Sequence, residues 1–192
     1  MKHLDLGCGD SPRNPYSAEE VHGVDIYLGE IQPGSHFKIC DFVSQPLPYQ
    51  SSSFESVSAF DVLEHIPRQV VDHALGSTKY PFIELMNEIH RILKPNGLFY
   101  AVTPAYPAPE VFQDPTHVNF ITEGTHNYFC GEIPYAIRYG FTGKFEAIES
   151  EWIYAKYAET AERSFVDKIK NLHKKLMNKS IAHFVWQLKA IK

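Results

Sequence analysis

The stretch that decides the fold of this chain is His3-Leu4-Asp5-Leu6-Gly7-Cys8-Gly9-Asp10. Its short apolar run predicts a β-strand, and the two glycines that follow predict a tight turn. Because glycine has no Cβ and tolerates positive φ, the backbone of such a turn can approach a ligand closely. A Gly-x-Gly pair alone fits an ordinary turn equally well, so its interpretation depends on the sequence that follows.

Three further apolar runs repeat this pattern of a strand that carries an acid near its end. They cover residues 21–25, 37–42 and 54–62. In a doubly wound sheet, ligands bind at the carboxyl ends of the parallel strands, and an acid there can accept both hydroxyls of a ribose. The repeated pattern therefore predicts a nucleotide site lined by four acids: Asp5, Asp25, Asp41 and Asp61.

The connection between the first two strands is expected to contain a short helix. Asp25 lies 16 residues after Gly9, a separation that suits a helical crossover between adjacent parallel strands. Ser17 and Glu20 stand three residues apart and resemble a capping box at the start of that helix.

The kind of nucleotide follows from what the glycine turn lacks. A dinucleotide fingerprint needs a third glycine, and Pro12 occupies that position here. Several acids would also repel a pyrophosphate, whereas they suit a ligand with a ribose, an amino group and a positive charge. S-adenosylmethionine has all three. A nicotinamide cofactor stays open as the less favoured alternative.

Five segments together form a more specific pattern. They are Leu4-Asp5-Leu6-Gly7-Cys8-Gly9, Gly23-Val24-Asp25-Ile26, Cys40-Asp41-Phe42, Phe60-Asp61-Val62-Leu63-Glu64-His65-Ile66 and residues 88–99. With them the chain resembles a class I S-adenosylmethionine-dependent methyltransferase of the small type 11 branch. The resemblance is strong over residues 1–104 and loose beyond, and Asn96 stands where the family commonly has glycine.

The resemblance implies an α/β, doubly wound, mostly parallel seven-stranded sheet with an antiparallel last strand. The family usually has helices before its first strand, and this sequence is expected to lack them. S-adenosylmethionine is the implied cofactor and S-adenosylhomocysteine its product, with no metal. The residues that the resemblance assigns to cofactor binding are Asp5, Leu6, Gly7, Cys8, Gly9, Asp25, Ile26, Asp41, Phe42, Asp61 and Val62.

Length and composition set the remaining bounds. The 192 residues suit one domain, and no apolar stretch reaches the roughly 18 residues of a membrane span. A net charge of −5 disfavours nucleic acid as a partner. Three cysteines argue against a disulfide framework and for a reducing compartment, so we expect a cytoplasmic location. The oligomeric state stays open.

The acceptor site is expected to follow the fourth and fifth strands. His65 is the first candidate for a catalytic base, because histidine titrates near neutrality, although it would serve equally well as a hydrogen-bonding or capping residue. Enzymes that methylate planar amides typically carry Asp/Asn-Pro-Pro-Tyr here. This chain has Asp61-Val62-Leu63-Glu64, which disfavours that chemistry.

Residues 105–130 are predicted to form the acceptor-site loop. Asp114, His117 and Asn119 would bind a hydroxylated acceptor, either a small molecule or a glycan, and His117 is the second candidate base. Two alternatives stay open: a loop held by its own hydrogen bonds, and a metal site made by Asp114, His117 and His126.

The remaining sequence predicts a helix over residues 82–93, a strand over 98–104 and two strands at 145–154 and 183–191. A helical insertion is expected at residues 158–179, with lysines around an apolar stripe. The stripe consists of Phe165, Ile169, Leu172 and Leu176. Such a helix would pack on its own domain, cover the active site or lie on a membrane surface.

Two other classes of function stay open. The chain could bind the cofactor without transferring a methyl group and serve a partner protein, or it could be a nicotinamide-dependent oxidoreductase.

Overall fold

A central β-sheet organises the computed structural model, which describes residues 1–34, 36–74, 76–176 and 181–192. In chain order the strands and α-helices are β1 (Lys2–Leu6), β2 (Glu20–Asp25), β3 (Phe37–Ile39), β4 (Phe54–Phe60), β5 (Val70–Asp72), β6 (Ser77–Lys79), α1 (Pro81–Ile92), β7 (Leu93–Pro104), β8 (Phe145–Ile153), α2 (Phe165–Leu176) and β9 (His183–Ala190).

Seven strands form this sheet in the order β3-β2-β1-β4-β7-β9-β8. The first five in that order run parallel, and β9 runs antiparallel to both of its neighbours. The strand order reverses between β1 and β4, which makes the carboxyl ends of these two strands the expected place for a ligand. The predicted α/β sheet with its antiparallel last strand is confirmed.

The main core lies between the sheet and α1. Leu4, Leu6, Val57 and Phe99 are fully buried, as expected of parallel strands covered on both faces. Helix α1 begins with Pro81 at a position where a proline needs no hydrogen bond, and it buries the apolar side predicted from its periodicity. A smaller cluster packs on the opposite face of β7: Tyr100, Val102, Ile153, Ala158, Ala161 and Val185.

The predicted helix between β1 and β2 is wrong. Residues 7–19 form turns and irregular backbone, and Glu20 is already the first residue of β2. Ser17 has a φ of +51°, outside the range of a helix cap. The side chain of Asn14 instead closes the turn by accepting from the Ala18 N–H at 2.8 Å. The side chain of Glu20 pairs with its strand neighbour His22 rather than with a helix N-terminus.

Helix α2 is shorter than the predicted insertion. It begins at residue 165 behind a cap in which the Asp167 N–H donates to the Ser164 Oγ at 3.1 Å. The predicted helical residues 158–164 precede it as irregular backbone. Residues 177–179 and the side chains of Phe165 and Leu176 lie outside the described part of the chain.

The contact between α2 and the sheet differs from the predicted one. Asn171 is buried and donates to the Trp152 C=O at 3.1 Å, whereas Ile169 and Leu172 are about half exposed. A polar residue therefore joins the helix to β8, and part of the predicted apolar stripe faces outward. Within the described residues, no helix has the length and hydropathy needed to cross a membrane.

Candidate functional site

The glycine turn after β1 meets the end of β2. The Gly7 N–H donates to the Val24 C=O at 2.8 Å, and the Gly9 N–H donates to the Asp25 carboxylate at 2.8 Å. Gly7 and Gly9 have φ values of +67° and +51°, which only glycine adopts without strain. The Asp25 carboxylate thus holds the turn against the end of the neighbouring strand.

The two glycines have different surroundings. A Cβ added at Gly7 would lie 2.3 Å from the Val62 Cγ2, so Val62 packs where a side chain would otherwise stand. A Cβ added at Gly9 would meet nothing within 4 Å. Gly7 is therefore needed for packing, and Gly9 leaves open space above the turn.

Asp5 lies inside β1, one residue before its end, and its carboxyl is buried. It accepts from the Arg13 N–H at 2.7 Å and from the Ser58 hydroxyl at 2.6 Å. Burial raises the pKa of this carboxyl to about 7 from its ordinary value of 3.8. The repeated pattern predicted a free acid at a strand end. Asp5 instead holds the loop after the glycine turn against the sheet through its hydrogen bonds.

Leu6 and Cys8 also face inward. Leu6 is a core residue, and the buried Cys8 side chain packs against Gly23, where an added Cβ would lie 2.5 Å from the Cys8 Sγ. Burial raises the pKa of the Cys8 thiol to about 12. Both residues can reach a ligand at this edge only through their backbone atoms.

The ends of β2 and β3 present apolar surface. Ile26, Tyr27 and Ile39 are 68%, 71% and 59% exposed, unusual values for side chains of this kind at the edge of a core. Asp41 accepts from the Val43 N–H at 3.1 Å and from the Ser44 hydroxyl at 2.8 Å.

This edge has the chemistry that an adenosyl ligand requires. Phe42 packs partly against the core, and the two acids Asp25 and Asp41 stand close in the chain to the exposed side chains at the ends of β2 and β3. Open space above Gly9 leaves room for a ligand to approach the backbone. The residues present therefore fit the predicted cofactor.

The turn after β4 begins with strained backbone. Asp61 has a φ of +54°, and its carboxylate lies 3.1 Å from the His183 Nε2 at the start of β9. The hydrogen bond to Asp61 raises the pKa of His183 above its ordinary value. The side chains of Val62 and Leu63 are buried, and Glu64 lies next to them in the turn after β4.

Glu64 is fully buried at this turn. One carboxyl oxygen accepts from the Thr103 hydroxyl at 2.9 Å, and the other, Oε1, has no hydrogen-bond donor within the described residues. Burial raises the pKa of Glu64 to about 7. Its backbone C=O accepts from the N–H groups of both Val118 and Asn119 at 2.9 Å, which fastens the 105–130 loop to the end of β4.

The structure brings the two candidate bases together. The rings of His65 and His117 lie 4.8 Å apart between centroids, in an edge-on arrangement. The His117 Nδ1–H donates to the Val111 C=O at 3.0 Å. Thr116 donates its hydroxyl to Asp114 at 2.7 Å, so its oxygen accepts from the His65 Nδ1–H at 3.0 Å. With Nδ1 as the donor in each ring, the remaining Nε2 is the nitrogen that can accept a hydrogen bond or bind a ligand.

Asn119 does not face an acceptor, because it is fully buried and its polar atoms are used within the protein. Its Nδ2 donates to the Leu63 C=O at 3.0 Å, and its Oδ1 accepts from the Arg68 Nε at 2.6 Å. We therefore assign Asn119 to holding the loop in place, the alternative that the sequence left open.

His126 lies apart from Asp114 and His117. It is buried beside the rings of Phe184 and Trp186, at centroid distances of 6.2 and 5.8 Å. The potential metal ligands that come together are Glu64, His65 and His117 instead.

A cavity of about 820 Å³ is lined in part by the segment that follows His65 and by the 105–130 loop. Its walls come from residues 68–69, from residues 80–83 around the start of α1, from the 105–130 loop and from Tyr139. Most of the lining side chains are aromatic, among them Tyr80, Tyr106, Phe112, Phe120, Tyr128 and Tyr139, and one is the cation Arg68. A cavity with this lining suits a flat or sugar-like ring.

The sequence analysis missed Glu64 and Arg68 as site residues. Glu64 lies in the turn after β4, which ends at Phe60, and directly precedes His65, and this position was the available signal. For Arg68 and the aromatic side chains no local signal existed, because the cavity is assembled from segments far apart in the chain.

Comparisons with known proteins agree with this geometry. The family described as "Methyltransferase domain" matches residues 1–132, so the chain belongs to that family. Membership implies S-adenosylmethionine as the cofactor. A comparison with curated protein sequences gave no match.

Three solved structures illustrate the likeness in fold. One is a complex between the Haloferax volcanii Trm112 methyltransferase activator and a proposed methyltransferase, with a TM-score of 0.57 and 14% identity over 100% of this chain and 83% of the other. The second is an S-adenosylmethionine-dependent methyltransferase from Mesorhizobium loti, with a TM-score of 0.56 and 15% identity over 98% of this chain and 90% of the other. The third is the [4+2]-cyclase SpnF, with a TM-score of 0.51 and 14% identity over 100% of this chain and 75% of the other. At these identities the likeness establishes the fold.

Proposed function

We propose that this protein transfers a methyl group from S-adenosylmethionine to a hydroxyl oxygen of a ring-containing small molecule or glycan. The observation that carries the proposal is the aromatic cavity, part of whose wall comes from the chain segments that contain the two histidines. Segment 63–69 supplies His65 and the lining residues Arg68 and Gln69, and segment 111–120 supplies His117 and the lining residues Phe112 and Phe120.

The cofactor end of the site is assigned to the edge formed by β1, β2 and β3. S-adenosylmethionine, when bound, supplies an electrophilic methyl group on its sulfonium. Asp25 accepts hydrogen bonds from the ribose hydroxyls, and Asp41 accepts one from the adenine amino group. Phe42 and Ile26 border the adenine ring. The backbone of the glycine turn holds the methionine portion. These residues contribute mainly alignment, because displacement at a methyl carbon depends on proximity and an in-line approach.

The acceptor end is assigned to the cavity and the 105–130 loop. Aromatic faces hold a planar or sugar ring and leave its hydroxyl groups at the polar margin. There the Nε2 of His65 or His117 takes the proton of the acceptor hydroxyl as its oxygen attacks. Asp114 acts through Thr116, which keeps the His65 ring in one orientation.

Calorimetric titration tests the cofactor end first. We expect S-adenosylmethionine and S-adenosylhomocysteine to bind in the micromolar range and NADH not to bind. Asp25→Ala should weaken the adenosyl ligands at least tenfold. Glu19→Ala is the matched control, because it removes one exposed acid just before β2, at the opposite edge of the sheet. A folded protein that binds neither adenosyl ligand would refute the proposal.

Transfer of a labelled methyl group to a panel of phenols and glycosides tests the acceptor end. We expect labelling of at least one hydroxyl compound, with a raised KM in Tyr128→Ala, which shortens the cavity wall. We expect a lowered kcat in His117→Ala. Labelling confined to amines or thiols would overturn the assignment of a hydroxyl acceptor.

A catalytically inactive cofactor-binding protein that serves a partner is the second candidate. The exposed apolar side chains Ile26, Tyr27 and Ile39 favour it, and one similar structure is a complex with an activator protein. Cofactor binding without turnover on the panel would favour this function. Tight NADH binding would instead favour the oxidoreductase alternative.

We also propose a cytoplasmic location. Cys8, Cys40 and Cys130 are free thiols, which persist in a reducing compartment. Fluorescent tagging at the C-terminus followed by fractionation tests this, and recovery outside the cytoplasm would refute it.

A further inference from the structure

We propose that Glu64, His65 and His117 bind one divalent transition-metal cation at the carboxyl end of β4. The inference rests on the proposed function and alters one step of it. With the cation bound, both imidazole lone pairs serve as ligands, so the cation would lower the pKa of the acceptor hydroxyl and its proton would go to solvent instead of to a histidine. The three side chains offer one carboxylate oxygen and two imidazole nitrogens, all within 4.8 Å of one another.

The unused oxygen of Glu64 is the first argument. Glu64 is fully buried, and its Oε1 has no hydrogen-bond donor among the residues that the structure describes, although Thr103 donates to the other oxygen. A buried polar atom without a partner costs free energy, and such atoms usually have a function or an unseen ligand. A cation beside Oε1 would supply the missing partner.

The orientation of the two imidazoles is the second argument. In metal sites, a ligating histidine donates its other ring N–H to a carbonyl or carboxylate, which directs the free nitrogen at the metal. His117 does this through the Val111 C=O, and His65 does it through Thr116, whose hydroxyl donates to Asp114. Both rings are thus held in the tautomer that a cation needs.

Local charge is the third argument. Glu64 supplies one negative charge once it has released its proton to bind the cation. The nearby cation Arg68 is already engaged with Asn119 Oδ1 and the Phe120 C=O. The donor set of two nitrogens and one oxygen suits Zn²⁺ and related cations better than Mg²⁺ or Ca²⁺. Three protein ligands leave a coordination position open for an acceptor oxygen.

A second group of potential ligands is a weaker candidate. Glu20, His22 and His36 also lie close together. There the Glu20 Oε1 is already bonded to the His22 Nε2 at 2.7 Å and lies 3.2 Å from the Lys2 ammonium. Those contacts occupy a carboxylate oxygen of Glu20, and Glu20 and His36 are exposed, although the buried His22 Nδ1 has no hydrogen-bond partner within the described residues.

The test titrates the EDTA-treated full chain with Zn²⁺ by calorimetry and with Co²⁺ by visible absorption, without cofactor or acceptor. We expect one equivalent to bind, with affinity reduced more than about 100-fold in His65→Ala and in His117→Ala. Thr116→Val removes the hydroxyl that orients His65 and should weaken binding about tenfold. His173→Ala, at an exposed histidine of α2, and His36→Ala should bind as the wild type does.

Absence of binding would overturn the proposal, as would binding that survives in both His65→Ala and His117→Ala. Loss confined to His36→Ala would move the site to the other cluster and overturn it as well. Melting curves of each variant identify those that fail to fold. The cation titration contains no adenosyl ligand, so it is independent of the titration with S-adenosylmethionine. A protein that binds the cation but not S-adenosylmethionine would refute only the proposed function. A protein that binds S-adenosylmethionine but not the cation would refute only the cation site.

Discussion

Replacing Gly7 by alanine should destabilise the protein much more than the same change at Gly9. Both residues have positive φ, so either alanine carries a backbone strain of about 1–2 kcal/mol. At Gly7 the new Cβ would also lie 2.3 Å from the Val62 Cγ2, and overpacking of this kind costs about 1–3 kcal/mol more. We therefore expect a loss of about 2–5 kcal/mol for Gly7→Ala and about 1–2 kcal/mol for Gly9→Ala.

A double-mutant cycle isolates the overlap from the strain. Val62→Ala removes the two methyl groups and leaves the nearest atom of residue 62 at 3.5 Å, an ordinary contact distance. In the Val62→Ala background, the Gly7→Ala change should therefore cost only the strain, which gives a coupling of about 1–3 kcal/mol between the two positions. The same cycle with Gly9 should show no coupling.

Urea unfolding followed by tryptophan fluorescence supplies the four free energies of each cycle. Titration with S-adenosylmethionine adds a second measurement, since Gly9→Ala places a methyl group in the open space assigned to the cofactor. That variant should fold well and bind the cofactor at least tenfold more weakly. Equal losses of stability at the two glycines, together with zero coupling to Val62, would refute the packing argument.

Three further predictions concern buried polar groups. Because the pKa of Asp5 is raised in the native state, the native protein holds a proton between about pH 4 and 7, whereas the unfolded chain has released it. The free energy of unfolding should therefore fall as pH rises through this window, by up to about 4 kcal/mol. Urea unfolding from pH 5 to 8 should show this fall relative to Asp5→Asn, and parallel curves would contradict it. Asn119→Ala leaves the Leu63 C=O without its donor and should cost about 2–4 kcal/mol. Faster hydrogen exchange over residues 111–120 checks the change, and unaltered exchange would show that the loop is held otherwise. Arg163→Met removes a buried guanidinium that pairs with two partly exposed carboxylates, Glu149 at 2.6 Å and Glu151, and should lower the free energy of unfolding by about 3 kcal/mol in urea unfolding. A variant as stable as the wild type would show that the pair is dispensable.

The sheet was predictable because its signals are local. Each parallel strand is a short apolar run, and α1 shows a regular apolar spacing that ends at a turn. Asn96, which stands where the family commonly has glycine, has a left-handed φ of +62°. The ends of the strands then placed Asp25 and the glycine turn at one edge without any knowledge of long-range contacts.

The errors fall where long-range contacts decide the structure. The spacing of Ser17 and Glu20 fits a helix cap, yet pairing of β2 with β1 includes Glu20 in a strand. The burial of Asn171 could not be read from the amphipathic pattern of α2, because it depends on the edge of β8. His65 and His117 were both proposed as bases, but their contact depends on two backbone hydrogen bonds to Glu64, which leave no trace in side-chain patterns.

Those two hydrogen bonds have a consequence for how this site can diversify. The Glu64 carbonyl oxygen holds the loop through the backbone N–H groups of residues 118 and 119, and every amino acid except proline supplies such a group. Val118 is about half exposed, so its side chain can be exchanged freely while the loop keeps its attachment. Side chains along the loop can therefore change without detaching it from the turn after β4, and proline at position 118 or 119 is the substitution that this arrangement excludes.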